Sequence, residues 1–142
     1  MYRWGENTMK KFTFLLTIIA IAMSSQAAPS PDVHKVINCT FNKNRIVIYE
    51  YSGTTSKAEM EAYLEEKPPK NTVGGFTAAY FFKKGSTVPR SGQTLCESIS
   101  KANEILYESN QISVWNFAYM HDVGGDTVVV DCTSERHTDL CR

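Results

Sequence analysis

The sequence predicts an α+β fold: a single two-layer domain in which one mostly antiparallel sheet carries two helices on one face, with two disulfides holding it together. Three observations lead there. Strand-like and helix-like segments succeed one another in the order ββαβαββ. All four cysteines, Cys39, Cys96, Cys132 and Cys141, lie downstream of an apolar leader. The chain beyond that leader is long enough for one domain and too short for two ordinary ones.

The leader is the first element. Lys10 and Lys11 form a positive n-region, Phe12 to Met23 an apolar run and Ser24 to Ala28 a small-residue stretch, the three-part build of a secretory signal peptide. Ser25 and Ala27 fit the positions before a cut, so residues 1–27 are read as the signal and 28–142 as one exported domain. A signal starts with its charged region, so the expected start is Met9, with MYRWGENT an upstream extension. The apolar run is shorter than the roughly 18 residues that span a bilayer, and the sequence holds no second run of that kind. The expected location is periplasmic or secreted.

Charge narrows the partners. Setting aside Arg3, Lys10 and Lys11 from 15 basic residues and Glu6 from 15 acidic ones leaves 12 and 14, a formal charge of −2 after cleavage. That balance argues against nucleic acid, which calls for a basic face. Polybasic clusters of the kind that hold a protein to anionic lipid are also missing from the sequence.

An even number of cysteines in an oxidising space reads as two disulfides. Alternation puts Ile37, Cys39 and Phe41 on one side of a strand and Val128, Val130 and Cys132 on one side of another. If those terminal strands are neighbours, Cys39 bridges Cys132 and leaves Cys96 for Cys141. The rival reading, zinc at Cys132, His137 and Cys141, lacks the close ligand pairs of a zinc site, and no metal or cofactor is expected.

Along the exported part, residues 33–41 and 45–51 alternate and are rich in β-branched side chains, with NKN at 42–44 as the turn of a hairpin. Ser56 and Glu59 form a capping box that opens a helix through KAEMEAYLEEK, and Pro68 and Pro69 end it. FTAAYFF at 76–82 is the most strand-like run. Thr94 and Glu97 suggest a second capping box, and Leu95, Ile99, Ala102 and Leu106 recur at helical spacing, so a helix is expected over 95–108. Residues 114–121 and 127–132 are two further strands joined by DVGGD.

The candidate site is aromatic. Val47, Tyr49 and Tyr51 share one side of their strand, as do Phe76, Tyr80 and Phe82 on the next, and Trp115, Phe117, Tyr119 and His121 on another. If those sides coincide on a helix-free face, Tyr49, Tyr51, Tyr80, Trp115 and Tyr119 form a recognition band with large contact area and polar handles. The competing reading makes the same rings core, with the tyrosines at its rim.

Other constellations carry less. HDVGGD holds one His and two Asp within six residues, but a hairpin turn uses the same residue types for backbone reasons. Glu59, Glu61, Glu65 and Glu66 read as an exposed helix face. Asn38-Cys39-Thr40 matches a glycosylation acceptor but falls inside a strand. The nucleophile-elbow, phosphate-loop and zinc-protease motifs are not found in the sequence. The expected function is therefore that of a small, exported, non-enzymatic binding protein with a protein partner at the cell envelope, for example an inhibitor or immunity protein. The alternatives are a structural subunit whose aromatic face is a homo-oligomer interface, and a small hydrolase using His121, Asp122 and Asp126.

Overall fold

Asn42 takes φ 56°, the left-handed conformation that asparagine tolerates better than most residues, and this turns β1 (Asp32–Phe41) back into β2 (Asn44–Ser52). The computed structural model describes residues 29–90, 93–136 and 138–142. Residues 1–27, read from the sequence as a signal peptide, lie outside them. So does His137.

Five strands make one sheet in the order β1-β2-β3-β4-β5, completed by β3 (Thr77–Lys83), β4 (Phe117–His121) and β5 (Thr127–Asp131). Three pairings are antiparallel, and β2 with β3 is parallel. A parallel pair needs a crossover, and α1 (Lys57–Glu66) supplies it. The predicted α+β class, element order and mostly antiparallel sheet are all present.

Helix α1 begins where the sequence places it. The Ser56 hydroxyl accepts from the Glu59 N–H at 3.3 Å while the Glu59 carboxylate accepts from the Ser56 N–H at 2.7 Å, closing the capping box. The stretch read as a single helix over 95–108 is instead three short pieces: a 3₁₀ turn (Thr94–Cys96), α2 (Ile99–Asn103) and a π turn (Glu104–Glu108). Ser98, not Thr94, caps α2, its hydroxyl accepting from the Lys101 N–H at 3.1 Å. Cys96 is held by a disulfide at the end of the 3₁₀ turn, and regular α-helix starts only after Ser98.

The two helical segments lie on opposite faces of the sheet, not on one. Met60 and Leu64 of α1 pack with Val47, Tyr51, Ala79, Phe81, Phe117 and Tyr119. Leu95, Ala102 and Leu106 pack with Ile46, Ile48, Ala78, Tyr80, Phe82 and Ala118. The physical reason is β3. Its first six residues are all buried, so both of its faces need a cover. The domain thus has three layers, helix, sheet and helix, and two cores.

The disulfides correct the expected pairing. Cys39 is joined to Cys96 and Cys132 to Cys141. The expectation required β1 and β5 to be neighbours, but they are the two opposite edges of the sheet. Cys39 points toward the α2 face and ties that segment to β1, across 57 residues of sequence. The second bridge spans only 9 and fastens the C-terminal tail to the end of β5. Restricting the unfolded chain makes the long loop worth about 4 kcal/mol and the short one about 3.

The connection from α1 to β3 is fixed by polar contacts. Buried Arg45 donates from Nη2 to the Asn38 side chain at 2.7 Å and from Nη1 to the Lys70 carbonyl, holding the loop against β1 and β2. Gly75 lies so close to Lys43 that a Cβ there would collide with its carbonyl. Among the described residues, no helix is long and apolar enough to cross a membrane.

Candidate functional site

Register decides the fate of the aromatic band. Tyr49 pairs with Phe81 and Tyr80 with Ile48, so Tyr49, Tyr51 and Tyr119 face α1 while Tyr80 faces α2. Trp115 precedes β4 and joins Tyr80 in the α2-side core, the ring centroids 4.7 Å apart. The five candidates are split between faces, and four of them are nearly sealed: Tyr51 is 4% exposed, Tyr80 3%, Trp115 2% and Tyr119 3%. Tyr49 is half-buried and stacks on Phe81 with centroids 4.9 Å apart. The recognition band, and with it the oligomer face built on the same rings, is replaced by core.

The polar ends of the two α2-side rings are satisfied internally. The Tyr80 and Tyr107 hydroxyls share a hydrogen bond of 2.9 Å, and Trp115 Nε1 donates to the Leu140 carbonyl at 2.9 Å. Burial pushes the hydroxyls of Tyr49, Tyr51, Tyr63, Tyr80 and Tyr107 above the ordinary tyrosine range, Tyr80 the most.

The surface offers instead a cleft of about 510 Å³ between α1 and the β4–β5 hairpin. Leu64, Pro68 and Val129 give it apolar walls, Glu61 and Glu65 line it from one helix side, and Asn71, Tyr119, His121 and Thr127 supply polar atoms. Glu61 and Glu65 are one helical turn apart and project together. The Asn71 amide donates to the Tyr119 hydroxyl at 3.1 Å, which sets the position of the loop after Pro69. His121 Nδ1 and Thr127 Oγ1 lie 3.0 Å apart across the hairpin.

A smaller cleft of about 280 Å³ adjoins it, sharing Asn71 and His121 and reaching the Val123–Gly125 turn. Together the two clefts are lined, among the described residues, by Glu61, Glu65 and Asp122 and by no lysine or arginine. A larger groove of about 720 Å³ runs along the α2 segment, but there Lys101 pairs with Glu104 at 2.8 Å and offsets its charge.

The residues proposed for hydrolysis do not assemble. Asp122 Oδ1 accepts from the Gly124 and Asp126 N–H groups at 2.8 and 3.0 Å and so is engaged in closing its own turn. The His121–Thr127 contact has the nucleophile–base spacing but, among the described residues, no third group that orients the ring. Cys132 and Cys141 are bonded to each other, which removes the thiolates that the zinc reading needed. Among the described residues no three His, Cys, Asp or Glu side chains gather to hold a metal.

Sequence reasoning missed Glu61 and Glu65 as cleft walls, reading them only as a solvated helix face, and it missed Asn71, Thr127 and Val129 altogether. The signal in the sequence was weak: two glutamates four apart, then Pro-Pro and an asparagine. Protein-family models, curated proteins and solved structures yield no match to this chain.

Proposed function

We propose that this is a small exported binding protein that acts on a protein partner at the cell envelope through the cleft between α1 and the β4–β5 hairpin. An inhibitor or immunity protein is the concrete form that suits its size. The observation that carries the reading is the cleft itself, in which carboxylates and apolar side chains stand together on a scaffold pinned by two disulfides. The exported location is supported by the disulfides and by the signal-like leader of the sequence. A rigid scaffold suits binding because little ordering entropy is lost on association.

The cleft favours a cationic partner segment. Among the described residues its lining bears carboxylates and no lysine or arginine, so a lysine or arginine arriving there finds charge complementarity without displacing an existing pair. The test is a photo-crosslinker placed at Glu65, in the α1 wall, and in a second protein at Lys35, on the far edge of the sheet. In envelope material the Glu65 probe should capture a partner and the Lys35 probe should not. Equal capture from both sides would contradict the assignment.

A further inference from the structure

The β5 strand is an edge, and its backbone alternates between groups that bond β4 and groups that face outward. The Cys132 N–H donates to the Asn116 carbonyl and the Asp122 N–H to the Asp126 carbonyl. Counting by twos between these two bonded pairs makes Val128 and Val130 the residues bonded to β4. Thr127, Val129 and Asp131 therefore direct their N–H and C=O away from the sheet. Asp131 is already occupied, its carbonyl accepting from Glu135 N at 2.7 Å and from Ser134 N at 3.2 Å. Thr127 and Val129 have no such cover among the described residues.

The same two residues line the cleft. Side chains of a strand alternate, so Thr127 and Val129 face α1 while Val128, 46% exposed, faces the other way. The opposite edge is less suited to accept a strand. The pairing register of β1 shifts between Lys35 and Ile37, its approach carries Pro29 and Pro31, and its exposed positions include His34 and Lys35. These are devices that keep an edge from pairing.

Resting on the cleft reading above, we propose that the partner's recognised segment is an extended cationic strand that pairs with the outer edge of β5 along Thr127–Val129. Backbone bonds to Thr127 and Val129 give it position. Its residues on the cleft side are lysine or arginine and reach Glu61 and Glu65, and the residue between them is apolar and covers Val128. Alternating basic and apolar residues are thus the expected signature of the bound segment.

The probe is a short peptide alternating Lys with Val and Thr, added to the disulfide-intact exported chain and tracked by amide exchange and titration. The expected result is slowed exchange at Thr127 and Val129, and about tenfold weaker binding to the Glu61→Gln/Glu65→Gln protein. N-methylating one alternate set of peptide amides should abolish binding, and methylating the other set should leave it. If both methylated peptides bind as well as the parent, strand addition is wrong while the cleft reading stands. If the peptide fails to bind, if it protects β1 instead, or if a Glu-containing counterpart binds equally, the proposal is overturned. The Glu65 crosslink, read separately with the natural partner, reports on the cleft alone.

Discussion

Trp115 Nε1 donates to the carbonyl of Leu140 at 2.9 Å, so the last residues of the chain close one side of the α2-face core. Leu140 is held there because Cys141 is bonded to Cys132 at the end of β5. The Arg142 side chain adds a bond to the Leu106 carbonyl at 3.1 Å. Replacing Cys132 and Cys141 by serine should release this tail, redden the tryptophan emission and lower stability by about 3 kcal/mol. The Cys39→Ser/Cys96→Ser protein should lose about 4 kcal/mol. Denaturant titration with fluorescence detection checks both, and an unshifted emission in the first protein would contradict the tail's placement.

Two tyrosine hydroxyls separate core from site. Tyr80→Phe leaves the Tyr107 hydroxyl without its 2.9 Å partner on the α2 face, and should cost about 1 kcal/mol of stability with no effect on binding at the cleft. Tyr119→Phe removes the acceptor of the Asn71 amide and loosens the loop beside the cleft. It should weaken the Glu65 crosslink while stability falls by a similar amount. Parallel measurement of unfolding and crosslink yield distinguishes the two.

High pH should unfold the domain. Five tyrosine pKa values are raised by burial above the ordinary 10.0. A raised folded-state value means that the neutral form is favoured in the folded chain. Stability is therefore intact below the ordinary value and is lost as pH climbs from there toward the folded values. Tyrosinate absorbance should rise together with loss of near-ultraviolet dichroism. Gradual, independent titration of the tyrosines in a folded chain would show that the rings are exposed.

Acid should loosen the start of α1. The Ser56 backbone N–H, and then its hydroxyl, hold the Glu59 carboxyl below the ordinary glutamate range. The stabilisation is present above the unfolded value of 4.5 and disappears as pH falls through the lower folded value. Amide exchange at Glu59 and Met60 should speed up over that interval. Ser56→Ala removes the cap at neutral pH and should cost about 1 kcal/mol.

The strands, the β1–β2 turn, the α1 capping box and the DVGGD hairpin were all legible, because each depends on residues within a few positions of one another. The disulfide pairing and the aromatic band were not, because both depend on neighbours across the sheet. Phe81 and Phe82 are equally apolar, and only the pairing of Tyr49 with Phe81 tells which one shares a face with Tyr49. Likewise, nothing local to Cys39 reveals that β1 and β5 lie four strands apart. FTAAYFF did carry a clue: a strand apolar on both sides needs two covers, which is why the second helical segment crosses to the other face. The helix at 95–108 broke into pieces because the link from Cys96 to Cys39 fixes its first turn before Ser98 can start a regular helix.

The most direct test of the account is the affinity of the partner captured at Glu65 for the Glu61→Lys/Glu65→Lys protein, set against Glu97→Lys/Glu108→Lys on the α2 side. Reversal of the cleft charges should abolish binding of that partner, and the α2-side control, with the same change in net charge, should bind as the unaltered chain does. Equal loss in both proteins, or unchanged affinity after reversal in the cleft, would show that the carboxylates of α1 are not where the partner is recognised.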